Sequence, residues 1–362
     1  MTTKALPTPY LLWDPNQPFP SHEEMLDLDY ATHVMVERAV QGGYHYLHET
    51  RIAWYHDILY VCWANHRIRE TNKKGELIRG KHSADGGRTW SPAEVWAAPP
   101  QNGAESYNIP TLAVHEDRLW GFFTRWDNEE PSTELFTMDD VSGRWQTLGR
   151  RIPGFIPFRP PMRMADGNWI ISGELSWTQA AVAISHGHDF TTWDVVPIRH
   201  PEDMVLRFPE TTLMKQDHAL LAICRTIEAP TAPVAESRDG GRTWTLLQSS
   251  NFPMRAQPFC GELSTGQHYL ITNNLEAGRT LLSIAVTRPG GVIFERIWKI
   301  RHQPFPRRRL LNASQTAPGS LTQWSYPSAV EHGGNLYVSY THAKQDCGLS
   351  IIPLEALQVR DT

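Results

Sequence analysis

One octapeptide, which occurs twice, constrains the fold of this chain more than any other feature. Residues 83–90 read SADGGRTW and residues 237–244 read SRDGGRTW, so both contain the spaced pattern Ser-x-Asp-x-Gly-x-Thr-Trp, the Asp-box. The Asp side chain can hydrogen-bond the backbone two residues on, and the paired glycines reach positive φ without a Cβ clash. Thr suits the strand that leaves the turn, and Trp offers a large apolar surface to a neighbouring layer. Each copy therefore predicts a tight hairpin between two strands.

Three weaker copies of this octapeptide make the repeat regular. They span residues 137–145, 185–193 and 287–294, and the last has Phe in the place of Trp. The aromatic anchors of the five copies recur at intervals of 55, 48, 51 and 50 residues. A period of about 50 residues built of short strands is typical of a β-propeller with one four-stranded blade per repeat. The five anchors are Trp90, Trp145, Trp193, Trp244 and Phe294.

The sequence therefore predicts an all-β protein, a six- or seven-bladed β-propeller whose Asp-box hairpins join the third and fourth strands of blades. We expect a single domain over residues 1–362, with the blades in residues 44–357. The apolar run at residues 33–40 predicts a strand that closes the ring and removes the exposed edges of the first and last blades. A seventh blade within residues 1–43 together with 300–322 stays open. Six strand–turn–strand units begin at Leu47, Tyr107, Phe158, Arg207, Pro258 and Trp324.

Composition and charge argue against several classes of protein. The chain has a net charge of −5 and a pI near 6.3, which gives no electrostatic case for nucleic acid or an anionic membrane as a partner. The N-terminus lacks a secretory signal and no stretch of about 18 apolar residues occurs, so we expect a cytoplasmic protein, or a secreted one if a signal has been removed. The four cysteines are scattered without C-x-x-C spacing, which predicts buried thiols and neither disulfides nor a zinc site.

The geometry of a propeller predicts where a ligand would bind. The first strand of each blade starts on one face and the second strand returns to that face, so these strand ends share one rim around the axis. Arginine and histidine are frequent at these strand ends, and the arginine fork matches a carboxylate. The rim therefore predicts an acidic oligosaccharide or glycan as the partner. The candidate site residues are His48, His66, Asn108, Arg125, Arg159, Arg207, Glu210, Arg225 and Tyr326.

Each of these residues also has an ordinary structural explanation. An arginine at a strand end is usually a solvated charge or the partner of a nearby carboxylate. Glu210 could serve only to pair with Arg207 or Arg225. Tyr326 could be a core aromatic residue whose hydroxyl finds a partner. Convergence on one face favours the set as a whole more than any single member.

Two families resemble this chain, and the first is the sialidase superfamily. The Asp-boxes and the arginine-rich rim resemble those propellers over most of the chain, from about Tyr44 to Leu357. Sialidases open their first blade with an Arg-Ile-Pro motif, where this chain has residues 48–53, HETRIA. Tyr326, in the run WSYPS, resembles the tyrosine region near the last blade of sialidases. This resemblance implies an exo-sialidase in which Tyr326 is the nucleophile, with a glutamate partner and arginines that bind a carboxylate.

The second resemblance lies in the first blade. Residues 46–48 and 59–66 resemble propellers that cleave L-rhamnose from glucuronate, some of them α-L-rhamnosidases and others L-rhamnose–glucuronate lyases. That resemblance implies that His48 is the leading catalytic residue and His66 a second one. It also implies that three arginines bind the substrate carboxylate. These are Arg125, Arg159 and Arg207.

Weighing these chemistries gives an expected function. A lyase needs a base, an acid and cations, which His48, His66 or Tyr326, and the arginines would supply. A conventional glycosidase needs two carboxylates, although enzymes with a tyrosine nucleophile are exceptions. We expect an enzyme that acts on an acidic, uronate-containing glycan terminus, with a rhamnosyl–glucuronate linkage as the first choice. The alternatives are an exo-sialidase and a non-catalytic glycan-binding propeller. No cofactor is predicted, although a histidine pair on the rim would allow a divalent metal.

Overall fold

Six sheets of mainly antiparallel strands account for the described part of this all-β chain, and each is one blade of a propeller. The one helix that these residues include is a short 3-10 helix, Leu354–Leu357. Among the described residues no helix has the length and apolar character needed to cross a membrane. The predicted fold is confirmed, with six blades in the described residues; residues 303–322, which a seventh blade would have used, lie outside them. The computed structural model describes residues 9–40, 42–68, 70, 75–100, 105–216, 218–274, 279–302 and 324–359.

The strands follow the blades in chain order. Two strands come first, β1 (Leu26–Asp27) and β2 (Thr32–Glu37). Blade one contains β3 (Tyr46–Tyr55), β4 (Ile58–His66), β5 (Leu77–Ser83) and β6 (Glu94–Ala97), and blade two contains β7 (Ser106–His115), β8 (Arg118–Asp127), β9 (Glu130–Met138) and β10 (Trp145–Pro153). Blade three has a divided first strand, β11 (Phe155–Pro157) and β12 (Met162–Arg163), then β13 (Trp169–Leu175), β14 (Gln179–His186) and β15 (Asp189–Pro197).

The remaining blades have the same plan. Blade four contains β16 (Thr211–Gln216), β17 (Ala219–Cys224), β18 (Thr231–Ser237) and β19 (Gln248–Pro253). Blade five contains β20 (Phe259–Glu262), β21 (His268–Thr272), β22 (Leu281–Thr287) and β23 (Phe294–His302). Blade six contains β24 (Trp324–His332), β25 (Asn335–His342) and β26 (Asp346–Pro353), and β2 pairs antiparallel with β26 as its fourth strand.

The first strands of the blades lie innermost. β3 contacts both β7 and β24, and β16 contacts β20, so neighbouring first strands meet around the axis. Strands near the axis are covered on both sides by neighbouring blades, which is why β17 reads as a continuous apolar run, ALLAIC. Outer strands alternate instead: in β23 every third residue is buried and the others are partly exposed. The central strands therefore form the core, and their ends form the two mouths of the axial channel.

The N-terminal segment runs along the outer edges of the last three blades. Tyr10 forms a bridge with Ser250 of blade four, and Trp13 forms one with Phe294 of blade five. β1 then pairs with β23, and β2 pairs with β26. The Asn251 side chain accepts hydrogen bonds from the backbone N–H of Leu12 and of Trp13, at 2.8 and 2.9 Å. The segment thus covers strand edges that would otherwise be open to other chains.

The Asp-box turns lie at the face opposite the starts of the first strands. In blade four the Asp239 carboxylate accepts hydrogen bonds from the Thr243 backbone at 2.9 Å, the Thr243 hydroxyl at 2.6 Å and the Ser237 hydroxyl at 2.9 Å. The Trp244 indole N–H donates to the Gly241 carbonyl at 2.8 Å. Trp90 and Trp244 lie between the third and fourth strands of their blades, as predicted, whereas Trp145, Trp193 and Phe294 lie within the fourth strand itself.

Each strong Asp-box also contacts the preceding blade. Arg242 forms an ion pair of 2.6 Å with Asp166 of blade three. Gly87 has a φ of +84°, and a Cβ there would lie 2.7 Å from Leu349 of blade six. A side chain would therefore be strained at Gly87 by backbone conformation and by contact alike. Trp90 and Trp244 are each partly buried.

Replacing Asp239 by Ala should lower the free energy of unfolding by about 1–2 kcal/mol, because several partly exposed hydrogen bonds of about 1 kcal/mol or less are lost. Partial burial would raise the pKa of Asp239, but the hydrogen bonds from Thr243 and Ser237 lower it to about 2, below its ordinary value of 3.8. The stabilisation is therefore present above the ordinary pKa and is lost as the pH falls toward 2. Denaturant unfolding should show that Asp239→Ala lowers the free energy of unfolding more at pH 7 than at pH 3. Unchanged stability with a loss of ligand binding would contradict a structural role for this turn.

Candidate active site

Four of the innermost strands begin with the same backbone irregularity. In each of these four blades a residue other than glycine has a positive φ, two or three residues inside the strand in β3, β7 and β24 and three residues before β16 in blade four. Three of the four residues precede a proline. The strand pairing shifts at this point in β3, β7 and β24. Positive φ is uncommon outside glycine and is concentrated at functional sites. The four residues are Glu49 (61°), Ile109 (40°), Phe208 (55°) and Tyr326 (55°).

Tyr326, Glu210 and Arg225 form the centre of the candidate site. The Tyr326 hydroxyl donates a short hydrogen bond to one carboxylate oxygen of Glu210. The other oxygen of Glu210 lies 2.7 Å from a guanidinium nitrogen of Arg225. All three side chains are buried, with Tyr326 8% exposed at its edge. A tyrosine hydroxyl bonded to a carboxylate is the arrangement of a nucleophile and the base that activates it.

Three arginines, Arg225, Arg279 and Arg51, surround the hydrogen-bonded pair of Tyr326 and Glu210. The guanidinium of Arg279 lies 5.5 Å from the centre of the Tyr326 ring. Arg51 is fully buried and donates to the Thr50 carbonyl at 2.8 Å. Its Nε and Nη2, like the Nε of Arg225, have no hydrogen-bond partner among the described residues. Buried guanidinium N–H groups are costly to leave unpaired, and a carboxylate could satisfy two of them at once.

A second buried carboxyl group, Glu174, lies near the pair. Burial raises the pKa of Glu174 well above its usual value, and the charge of Glu210 raises it further, whereas Arg225 lowers it. Neither oxygen of Glu174 has a hydrogen-bond partner among the described residues. Burial thus favours the neutral form of Glu174 and limits the negative charge of the cluster. The three guanidinium groups consequently leave the cluster with an excess of positive charge, which favours an anionic ligand.

His48 and Glu49 approach Tyr326 from blade one. The His48 ring is 1% exposed, and its centre lies 4.2 Å from that of the Tyr326 ring. Burial and then the charge of Lys344 hold the pKa of His48 well below its usual value, so the imidazole is neutral at pH 7. Glu49 accepts a hydrogen bond of 2.6 Å from the backbone N–H of Ile109, and burial raises its pKa to about 8. Glu49 is thus a carboxyl group that still holds its proton near pH 7.

An aromatic wall borders the charged cluster. Trp177, which has a φ of 69° in the turn between β13 and β14, stacks on Trp126 with ring centres 4.9 Å apart and planes at 11°. Its ring also meets the edge of Phe208 at 5.5 Å. Arg225 lies 5.9 Å from the centre of the Phe208 ring, which joins the wall to the cluster. Trp177 is partly exposed, so the wall offers an apolar surface of the kind on which a sugar ring can stack.

Four of the nine residues that the sequence singled out come together here: His48, Glu210, Arg225 and Tyr326. Asn108 and Arg125 instead belong to a network within blades one and two. Arg125 is held between Glu105 at 2.8 Å and Glu134 at 3.0 Å. Asn108 accepts a hydrogen bond of 2.7 Å from the Trp126 indole N–H. These contacts give Asn108 and Arg125 a structural role at the rim.

The other three predicted residues lie apart from the cluster. Arg159 donates to the Leu213 carbonyl and lines a cavity of about 390 Å³ with residues from the far ends of the innermost strands, such as Trp54. The Arg207 side chain is 59% exposed and pairs with Glu228 at 3.4 Å. His66 ends β4, and its Nδ1 accepts a hydrogen bond of 3.2 Å from the Ile68 backbone. The structure therefore does not bring Arg125, Arg159 and Arg207 together as one carboxylate site.

Arg51 and Arg279 were not predicted from the sequence as members of the cluster. A signal for Arg51 existed, because Arg51-Ile52 occupies the place of the Arg-Ile-Pro motif with Ala53 instead of proline. Arg279 lies five residues beyond Asn274, past the end of β21. The prediction considered only residues at the ends of strands, so it did not include Arg279.

A model of the BNR repeat-like domain family matches residues 59–338. The match spans most of the chain, so the chain belongs to this family. No curated protein sequence matches the chain.

Solved structures share the fold. A Hadza microbial sialidase has a TM-score of 0.66 at 14% identity, over 86% of this chain and 66% of its own. Trypanosoma rangeli sialidase with the inhibitor DANA has a TM-score of 0.66 at 12% identity, over 91% and 60%. The intramolecular trans-sialidase from Ruminococcus gnavus has a TM-score of 0.64 at 11% identity, over 87% and 96%. The chain thus spans less than two thirds of the first two proteins. The chain therefore has a sialidase-like propeller fold.

The pKa of Glu49 predicts a pH-dependent stability. Burial raises it from 4.5 to about 8, so the folded state holds a proton that the unfolded state has lost. This stabilisation is complete below pH 4.5 and is lost as the pH rises through 8. The melting temperature should therefore fall between pH 5 and pH 9, and Glu49→Gln should flatten that fall. The exposed residue Glu130 is a suitable control, and Glu130→Gln should keep the pH dependence. An equal fall in Glu49→Gln would contradict the assignment.

Proposed function

We propose that the protein is a retaining glycoside hydrolase that removes a terminal sugar acid from a glycan, with Tyr326 as nucleophile. The observation that carries the proposal is the Tyr326–Glu210 hydrogen bond inside a cluster of three arginines. This is the exo-sialidase type of chemistry, which the sequence offered as an alternative. Enzymes with a tyrosine nucleophile are a recognised exception to the use of two carboxylates.

The choice of tyrosine has a physical reason. In a sialic acid the carboxylate is attached to the anomeric carbon, so a carboxylate nucleophile would approach against like charge. A neutral phenol avoids this repulsion, and Glu210 takes the proton as the Tyr326 oxygen attacks. The bond from the anomeric carbon to the leaving oxygen breaks, and water later cleaves the glycosyl–tyrosine bond with inversion, which gives net retention.

The remaining residues have roles in this scheme. Arg51, Arg225 and Arg279 would hold the substrate carboxylate and stabilise the transition state through fixed charges in a buried site. Glu49, protonated near neutral pH, would donate the proton to the leaving oxygen. Activity should then fall as the pH rises through about 8, where Glu49 loses that proton. Trp177 would support the apolar face of the bound glycan.

Tyr326→Phe should lower kcat on a fluorogenic α-sialoside by about 100-fold or more, since it removes the nucleophilic oxygen and keeps the ring. Tyr107 provides a matched control, because its hydroxyl also donates to a glutamate, Glu134, at 2.8 Å. Tyr107→Phe should leave kcat near that of the unsubstituted protein. Normal turnover in Tyr326→Phe would overturn the proposal. Binding of sialosides without any turnover in the unsubstituted protein would favour a glycan-binding propeller.

A rhamnosyl–glucuronate linkage is the second candidate, and the proximity of His48 to Tyr326 favours it. A neutral imidazole could take the proton α to a uronate carboxylate, as a lyase requires. His48→Ala would then lower turnover of rhamnosyl-glucuronate oligosaccharides by about 100-fold, and absorbance of an unsaturated uronate would accompany the cleavage by the unsubstituted protein. His66→Ala is the comparison, because that ring lies apart from the cluster. Cleavage that yields reducing ends without this absorbance would contradict the lyase chemistry.

A further inference from the structure

A group of three potential metal ligands lies on the face opposite Tyr326. His115 ends β7, Glu116 follows it in the β7–β8 turn, and His188 lies in the β14–β15 turn of the next blade. One ligand atom from each lies within 4.8 Å of the others. We propose that these residues bind a divalent transition metal of the zinc class and link blade two to blade three.

The structure fixes one of the three ligands firmly. The His115 ring is 6% exposed and stacks on Phe190, with ring centres 3.8 Å apart and planes at 13°. Its Nε2 lies 2.9 Å from the His188 carbonyl oxygen and 3.7 Å from a Glu116 carboxylate oxygen. The two histidine rings are nearly parallel, with centres 6.2 Å apart. The nitrogen of His115 therefore points to the place where oxygen and nitrogen donors of both turns meet.

The remaining ligands can adjust to a metal. Glu116 and His188 are exposed side chains on turns, so rotation about side-chain bonds can shorten the separations to the roughly 2.0–2.2 Å that zinc bonds require. Two imidazoles and a carboxylate suit zinc and its neighbours, whereas calcium and magnesium prefer oxygen ligands alone. The backbone carbonyl of His188, or water, would complete four-coordination. Binding would replace the present hydrogen bond between His115 and that carbonyl.

The position of the site indicates a structural role. The β7–β8 turn belongs to the inner part of blade two, and the β14–β15 turn belongs to the outer part of blade three. A metal between them would add a bond between two blades that already share packing and hydrogen bonds, such as that from the Thr133 hydroxyl to the Phe155 carbonyl at 2.8 Å. Because the Asp-box face lies away from Tyr326, the metal should raise stability without changing turnover. This location differs from the mouth, where the sequence had allowed a metal.

The test uses the full chain without a histidine tag. Zinc chloride titrated by calorimetry should bind at one site per chain, and added zinc should raise the melting temperature in a manner reversed by a chelator. Cobalt(II) bound in place of zinc should show the visible absorption bands that are typical of four-coordinate cobalt. His188→Ala and Glu116→Gln should each weaken zinc binding by at least about 10-fold.

His186→Ala is the matched control, because His186 is an exposed histidine on the same hairpin and pairs with Asp194 at 2.9 Å. It should bind zinc as the unsubstituted protein does. The proposal is overturned if zinc does not bind to the chain, or if His188→Ala and Glu116→Gln bind it with unchanged affinity. Because His188 and Glu116 are exposed, neither substitution should prevent folding.

Discussion

The Glu210 carboxylate makes the two contacts on which the candidate site depends. One oxygen accepts the hydroxyl proton of Tyr326 from blade six, and the other pairs with Arg225 within blade four. A buried carboxylate persists only when charge and hydrogen bonds offset its desolvation. Arg225 supplies that charge at Oε2 of Glu210, and this leaves Oε1 as a base for the Tyr326 phenol. Burial first, and then the charge of Glu210, raise the pKa of Glu174 close by, because a second buried negative charge would be poorly solvated and would repel Glu210.

The fold makes this contact possible by bending its innermost strands at one level. Positive φ at Glu49, Phe208 and Tyr326 breaks the regular alternation of side chains at the same end of blades one, four and six. Side chains that a regular strand would direct into a blade are thereby redirected, and residues distant in sequence come into contact. Such strained positions persist only in a rigid surrounding. The Asp-box turns supply rigidity at the opposite face, and the N-terminal segment supplies it along the outer edges of the last three blades.

Much of the fold was predictable, because it rests on local and periodic signals. The Asp-box glycines and aromatic anchors gave the blade repeat, and the turns fell where they were expected. The site was predictable only in part. Position in a strand tells which mouth a residue faces, but not which neighbour binds its charge. Arg125 pairs with Glu134 and with Glu105. Glu105 lies just before β7, where the repeat pattern gives no signal. Arg51 joins the cluster from mid-strand after an irregularity in pairing that no composition rule predicts.

The central claim is that Tyr326 forms a covalent bond with a sugar acid, and trapping tests it most directly. The protein would be incubated with 2,3-difluorosialic acid, which is named in a covalent intermediate of Trypanosoma rangeli sialidase. Intact-mass measurement should then show one added glycosyl group per chain, and peptide mapping should place it on Tyr326. Tyr326→Phe should remain unlabelled, while Tyr107→Phe should be labelled like the unsubstituted protein. An adduct on another residue, or turnover of a sialoside without any adduct at Tyr326, would contradict the account.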